Sequence, residues 1–98
     1  MTVTLIDDYE VMYSSNQFPP RVWLLAGGSY IGQLVLMPDD AALPDDSATS
    51  LYYHVRSFPH IIDLLRNEKP LYYLFAGSGS GFENGVKTTP EAVGEGEA

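Results

Sequence analysis

Cysteine is absent from the 98-residue sequence. Without it the chain can form no disulfide, cannot bind zinc through thiolates and has no thiol nucleophile. Basic residues are scarce as well, since five Lys and Arg stand against thirteen Asp and Glu, and the formal net charge is -8. The phosphate backbone of nucleic acids repels a surface of this sign. The composition therefore argues against disulfide-rich scaffolds, cysteine-metal sites and binding of nucleic acid.

Long hydrophobic runs are also missing. The apolar stretches are far shorter than the roughly 20 residues that a membrane-spanning helix requires. The N-terminal segment MTVTLIDDYE has no basic residue and reaches an acid at Asp7, which is unlike a secretory signal. We therefore predict a protein that is not membrane-bound and that lies in the cytoplasm.

The acidity is concentrated in a loop and a tail. Seven acids lie in two segments, at Asp39, Asp40, Asp45, Asp46, Glu91, Glu95 and Glu97, and the rest of the chain holds six acids against five bases. We predict a polar loop over 38–50 and a partly disordered acidic tail over 90–98, following a single α+β domain over 1–89. The simplest role for both segments is solubility.

Strand-like patterns occupy most of the domain. Segments 3–6 and 9–14 are rich in β-branched and aromatic residues, and Asp7-Asp8 is either a turn between two strands or a bulge in one. Gly27-Gly28 between two apolar runs predicts a tight hairpin, because both central positions of a type I′ turn need positive φ. Further strands are predicted over 51–55 and 71–76, and the link between these two is long enough for them to pair in parallel.

One short helix is predicted between those last two strands, over about residues 58–66. Ser57 is a candidate N-cap, and Pro59 fits a first helical turn. Apolar residues follow at helical spacing and form one stripe, at Phe58, Ile61, Ile62 and Leu65. The prediction is thus an α+β fold, with a single twisted, mainly antiparallel sheet of five or six strands and this helix packed on one face.

Two Tyr-Tyr pairs suggest that the sheet is apolar on both faces. Successive side chains of a strand point to opposite faces, so Tyr52-Tyr53 and Tyr72-Tyr73 place an aromatic ring on each side. A helix of this length covers less than half of one face. A second copy of the chain is the commonest cover for the other face. We therefore predict a homodimer, with interface residues Trp23, Leu25, Tyr53 and Tyr73.

The C-terminal part resembles a group of small bacterial proteins of uncharacterised activity. The likeness is carried by the segments LRNEKPLYYL (65–74), GFEN (81–84) and PEAVGEGE (90–97). The group shares the helix, an R-N-E-x-P turn, a strand and an E-x-V-G-E-x-E tail. The resemblance implies a bacterial source, a protein that stands alone and a tail with a role beyond solubility. It assigns no functional residue.

The sequence contains no specific catalytic or cofactor-binding pattern. The run Gly77-Ser78-Gly79-Ser80-Gly81 follows a strand, but no helix N-terminus follows it to hold a phosphate, and no Gly-Lys-Ser/Thr element is present. His54, His60 and Asp63 could form a two-histidine, one-carboxylate metal site, although their spacing is not diagnostic. We predict no enzyme activity, no cofactor and no metal.

The sequence leaves three kinds of association open. The first is the homodimer, which acts with or without a further protein partner. The second is an acidic mimic of nucleic acid that uses the aspartate loop and the glutamate tail to inhibit a DNA- or RNA-handling protein. The third is weak binding of single-stranded nucleic acid through stacked aromatic side chains, which the lack of a basic groove opposes.

Overall fold

The computed structural model describes residues 2–79 and 81–90 of the chain. Within these residues it has seven strands, one 3₁₀ turn and one α-helix. In chain order they are β1 (Thr2–Ile6), β2 (Asp8–Met12), β3 (Arg21–Ala26), β4 (Ser29–Met37), β5 (Ser50–His54), the 3₁₀ turn (Val55–Ser57), α1 (Phe58–Asn67), β6 (Leu71–Phe75) and β7 (Gly85–Lys87). The architecture is α+β, as predicted, and the predicted acidic tail beyond Pro90 lies outside the described residues.

The strands form two sheets, so the prediction of a single sheet is wrong. One sheet has three antiparallel strands in the order β1-β6-β7, and the other has four in the order β2-β3-β4-β5. Asp7 separates β1 from β2, and its N–H donates to the Leu25 carbonyl at 3.0 Å. This one-residue break is neither a hairpin turn nor a bulge in one strand. It is the point where the chain passes from the first sheet to the second.

The glycine hairpin is confirmed, and the parallel pair is a different one from that considered. Gly27 and Gly28 have φ angles of 59° and 81° and join antiparallel β3 and β4. β5 pairs in parallel with β4, whereas β6 lies between β1 and β7. The long connection that parallel neighbours require is supplied by residues 38–49.

The helix ends one residue later than predicted and begins without its predicted cap. Ser57 precedes α1, but its side chain makes no capping hydrogen bond. A capping side chain needs an extended backbone at its own residue, and Ser57 has helical angles (φ -81°, ψ -9°) because it closes the 3₁₀ turn. At Glu68 the chain becomes extended (φ -109°, ψ 130°), and this change ends the helix.

The core is formed by both sheets and the helix together. Ten buried side chains make one cluster: Ile6, Val22, Leu24, Leu34, Leu36, Leu51, Ile61, Leu65, Leu71 and Tyr73. The predicted helical stripe is confirmed, since Ile61 and Leu65 belong to the cluster and Phe58 and Ile62 pack against it. The three-stranded sheet thus covers much of the inner face of the four-stranded sheet that a short helix alone would leave exposed.

The acidic loop is hydrogen-bonded to the domain. One carboxylate oxygen of Asp46 accepts from the Tyr52 N–H at 2.9 Å and the other accepts from the Asn84 side chain at 3.0 Å. The Asp39 carboxylate accepts from the Arg56 N–H at 3.0 Å. Two of the four loop aspartates therefore support the fold directly, in addition to any effect on solubility.

Candidate interface surface

The four residues of the predicted interface lie on two different faces. Tyr73 is only 3% exposed and belongs to the core, and Tyr53 packs against the core. Trp23 and Leu25 are half-buried and alternate along β3 with the core residues Val22 and Leu24. Strand alternation therefore turns Trp23 and Leu25 away from the core. The structure brings Trp23 and Leu25 to one surface and places the two tyrosines inside the domain.

The surface that carries Trp23 is the outer face of the four-stranded sheet, opposite the core. The strand register arranges its side chains in two rows across the sheet. One row is Glu10, Trp23, Gln33 and Ser50, and the next is Met12, Arg21, Val35 and Tyr52. Val35 is 6% exposed although it lies outside the core cluster. It is buried among the side chains of this outer face.

Hydrogen bonds hold the first row in place. The Trp23 indole N–H donates to Gln33 Oε1 at 3.3 Å, and Gln33 Nε2 donates to Ser50 Oγ at 3.0 Å. These contacts run across three adjacent strands. They fix the orientation of the Trp23 ring before any partner binds, which lowers the entropy cost of association.

Arg21 is the basic residue of this surface, and it forms no ion pair with an acidic side chain among the described residues. Its guanidinium carbon lies 5.5 Å from the centre of the Trp23 ring. Its Nε is buried and has no hydrogen-bond partner among the described residues. Glu10, directly across from Trp23 on the edge strand, is exposed. The outer face therefore carries one exposed acid and one incompletely satisfied base beside the same tryptophan.

Arg21 and Glu10 are not among the interface residues predicted from the sequence. The alternation that placed Trp23 on a sheet face also places Arg21, two residues earlier, on that face. Glu10 needs more than alternation, because its position beside Trp23 depends on the register between β2 and β3. The sequence pattern could therefore have placed Arg21 on this face, but it could not have placed Glu10 beside Trp23.

A second apolar surface lies at one end of the four-stranded sheet. It is an open groove of about 560 Å³ between the 13–20 segment and the end of β4. We call it the groove; it is lined by Tyr13, Ser14, Asn16, Gln17, Phe18, Pro19, Pro20, Leu36, Met37, Pro38, Ala41 and Val55. Tyr13 is 64% exposed and Phe18 is 56% exposed. The sequence pattern predicts no role for the residues that line the groove.

The two histidines have different surroundings. His54, at the end of β5, shares a 2.9 Å hydrogen bond between its Nε2 and the Ala41 carbonyl, while His60 is exposed on α1. Over residues 2–79 and 81–90, no group of three or more His, Cys, Asp and Glu side chains is arranged to hold a metal ion. Within the part of the chain that the structure describes, no helix has both the length and the apolar character needed to span a membrane.

The buried tyrosines make folding sensitive to alkaline pH. Burial, with a smaller contribution from the Asp46 carboxylate, raises the pKa of Tyr53 from 10.0 to about 12. Burial is also the main cause that raises the pKa of Tyr73, and the neighbouring Tyr30, Asp46 and Tyr53 add to it. Both phenols therefore stay protonated in the folded chain at a pH where they ionise in the unfolded chain.

We expect the free energy of unfolding to fall as the pH rises from about 10 towards 12. A group whose folded pKa is raised contributes its full stability below the unfolded pKa and loses it as the pH rises through the folded pKa. Replacing Tyr53 with phenylalanine should flatten this decline, because one of the two groups no longer titrates. Urea titrations from neutral to alkaline pH measure the slope, and Tyr52→Phe is the matched control. An equal slope in the wild type and in Tyr53→Phe would contradict the expectation.

Comparison of the chain with protein-family models, with curated proteins and with solved structures finds no match.

Proposed function

We propose that this is a non-enzymatic, cytoplasmic protein of bacterial origin that acts by protein–protein association and forms a homodimer through the outer face of the four-stranded sheet. The observation that carries the proposal is the arrangement around Trp23, where an exposed acid and an incompletely satisfied arginine flank an oriented indole ring. Trp and Arg are among the residues that most often dominate the binding energy of interfaces.

The composition of the outer face supports this role. Its two rows contain aromatic residues, a methionine and an arginine, which are enriched in interfaces, and of the depleted types they contain one glutamate and one serine but no lysine. Met12 is 42% exposed and lies beside Arg21 on the edge strand β2. The patch therefore has apolar contact area together with a few charged groups, as a protein interface does.

The charge pattern is also self-complementary. Glu10, Met12, Arg21 and Trp23 form a rectangle of roughly 5 Å across the strands and roughly 7 Å along them. A twofold axis in the plane of the interface, along the diagonal from Trp23 to Met12, places Arg21 of each copy opposite Glu10 of the partner subunit. Isologous contacts of this kind are the rule in closed dimers. Two ion pairs then lie on either side of the axis, on which Trp23 and Met12 each meet the same residue of the partner subunit.

The test is a charge exchange across the proposed interface. Arg21→Glu and Glu10→Arg should each weaken dimerisation at least about tenfold, because each puts like charges in opposition twice. The double variant should recover most of the loss. Sedimentation equilibrium over a wide concentration range measures the dissociation constant. Glu83→Arg is the control for Glu10→Arg, since Glu83 is exposed outside the outer face and the net charge changes equally.

Three results would contradict the homodimer. They are a wild-type protein that stays monomeric throughout the concentration range, a double variant that associates no better than the two single variants, and a Glu83→Arg variant as impaired as Glu10→Arg. Far-UV circular dichroism and urea titration of each variant separate loss of association from loss of folding.

A further inference from the structure

The groove shares no lining residue with the two rows of the outer face, and one of its lining residues, Leu36, also belongs to the core cluster. Most of its wall is apolar, and Ser14, Asn16 and Gln17 supply polar side chains. No charged side chain is among the described residues that line it. Its volume is about 560 Å³, and it is open to solvent along its length.

One wall of the groove is held in place by an aromatic contact. The Tyr13 ring meets Phe58 of α1 edge to face, with the ring centres 5.5 Å apart and the planes at 63°. Tyr13 nevertheless keeps 64% of its surface exposed. A ring that is oriented before binding, and that still contacts water, loses little conformational freedom when a ligand covers it.

Acids border the groove on the side of the acidic loop. Asp39 and Asp40 stand between Pro38 and Ala41, which both line it, and both aspartates are exposed. Two bases also adjoin lining residues, but Arg21 is turned onto Trp23, which leaves Arg56. With a net charge of -8 on the whole chain, the surroundings of the groove favour a cationic occupant.

We propose that the groove binds an extended, proline-containing segment of another protein that carries basic residues. Aromatic-lined grooves recognise such segments because a polyproline II chain is already ordered and its prolines pack flat on aromatic rings. The exposed acids beside the groove select the basic residues. A second copy of this chain is a less suitable occupant because only five of its residues are basic. The open groove encloses a small molecule less completely than small-molecule sites do.

A phage-displayed library of random twelve-residue peptides tests the proposal. Selection on the wild-type protein, with removal of phage that bind Phe18→Ser, should enrich sequences that combine proline with arginine or lysine. An enriched peptide should then bind the wild type in fluorescence anisotropy and bind Phe18→Ser at least about tenfold more weakly. Phe82→Ser is the control, since Phe82 is 53% exposed and does not line the groove.

A charge reversal keeps the test decisive if Phe18→Ser folds poorly. Asp40→Lys leaves the apolar lining intact and should weaken the same peptide at least about threefold at low salt, with a smaller effect at high salt. Asp45→Lys is its matched control, because it changes the net charge equally and adjoins no lining residue. The proposal is overturned by a library without enrichment, by enriched peptides that are acidic or that match segments of this chain, or by equal losses in Asp40→Lys and Asp45→Lys.

Discussion

Replacing Gly32 with alanine is expected to lower the free energy of unfolding by roughly 2–4 kcal/mol. A Cβ atom at this position of β4 would lie 2.8 Å from both Cζ and Oη of Tyr73. Side chains do not approach this closely, so the Tyr73 ring or the β4 backbone must shift. Glycine is required here because the Tyr73 side chain packs directly on the backbone of β4, although the φ angle of Gly32 is not positive.

The Tyr73 ring has little freedom to move aside. It is 3% exposed within the core cluster, and its hydroxyl donates to the Ala48 carbonyl at 3.0 Å. A shift that relieves the alanine therefore weakens this hydrogen bond and disturbs the packing between the two sheets. Overpacking and the loss of a buried hydrogen bond both contribute to the expected cost.

A double-mutant cycle in urea isolates the steric cause. In a Tyr73→Leu background, Gly32→Ala should cost little, because the atoms it would meet are gone. Gly81→Ala is the control, since a Cβ there has no atom within 4 Å and the residue has no positive φ. A Gly32→Ala cost that is the same in both backgrounds would show that the contact with Tyr73 is not responsible.

Replacing Asn84 with alanine is expected to destabilise the fold by a similar amount, roughly 2–4 kcal/mol. The Asn84 amide oxygen accepts from the N–H groups of Ala76 and Gly77, at 2.6 and 3.3 Å. Its amide nitrogen donates to the Gly77 carbonyl at 2.8 Å and to the Asp46 carboxylate at 3.0 Å. Alanine would leave four partly buried partners unsatisfied at once.

Asn84 connects two parts of the domain that are 38 residues apart in the chain, which explains the size of the effect. Through Asp46, which also accepts from the Tyr52 N–H, it links the end of β6 to the acidic loop and to β5. Denaturant unfolding measures the loss. Asn16→Ala is the matched control, because Asn16 is exposed and its side chain accepts one hydrogen bond, from Phe18. A loss at Asn84 no larger than that at Asn16 would contradict this role.

Local patterns predicted the elements well. The glycine pair of the β3–β4 hairpin, the apolar stripe of α1 and the alternation along β3 depend on residues that are close in sequence. Each was visible without tertiary structure. Alternation also separates Trp23 from the core residues Val22 and Leu24, but it does not say which face of the strand the core occupies.

The break at Asp7 shows why the sheet prediction failed. A one-residue interruption between two strand-like segments is compatible with one strand, with a hairpin or with a change of sheet. Which of these forms depends on the partners of each segment, and those are β6 for β1 and β3 for β2. Hydrogen bonds between residues distant in sequence determine which of the three arrangements forms, and a local sequence pattern does not specify those bonds.

By itself the sequence determined the class, the helix, the hairpin, the strong acidity and the lack of cysteine chemistry, because each follows from composition or from short-range periodicity. The tertiary structure decided that two sheets close over each other, that Tyr53 and Tyr73 belong inside, and that Glu10 and Arg21 flank Trp23 on the outer face. It also decided that Tyr13 and Phe18 line a groove beside two acids. These features depend on strand register and on packing between segments that are distant in sequence. Contacts across the whole domain therefore determine which arrangement has the lowest free energy.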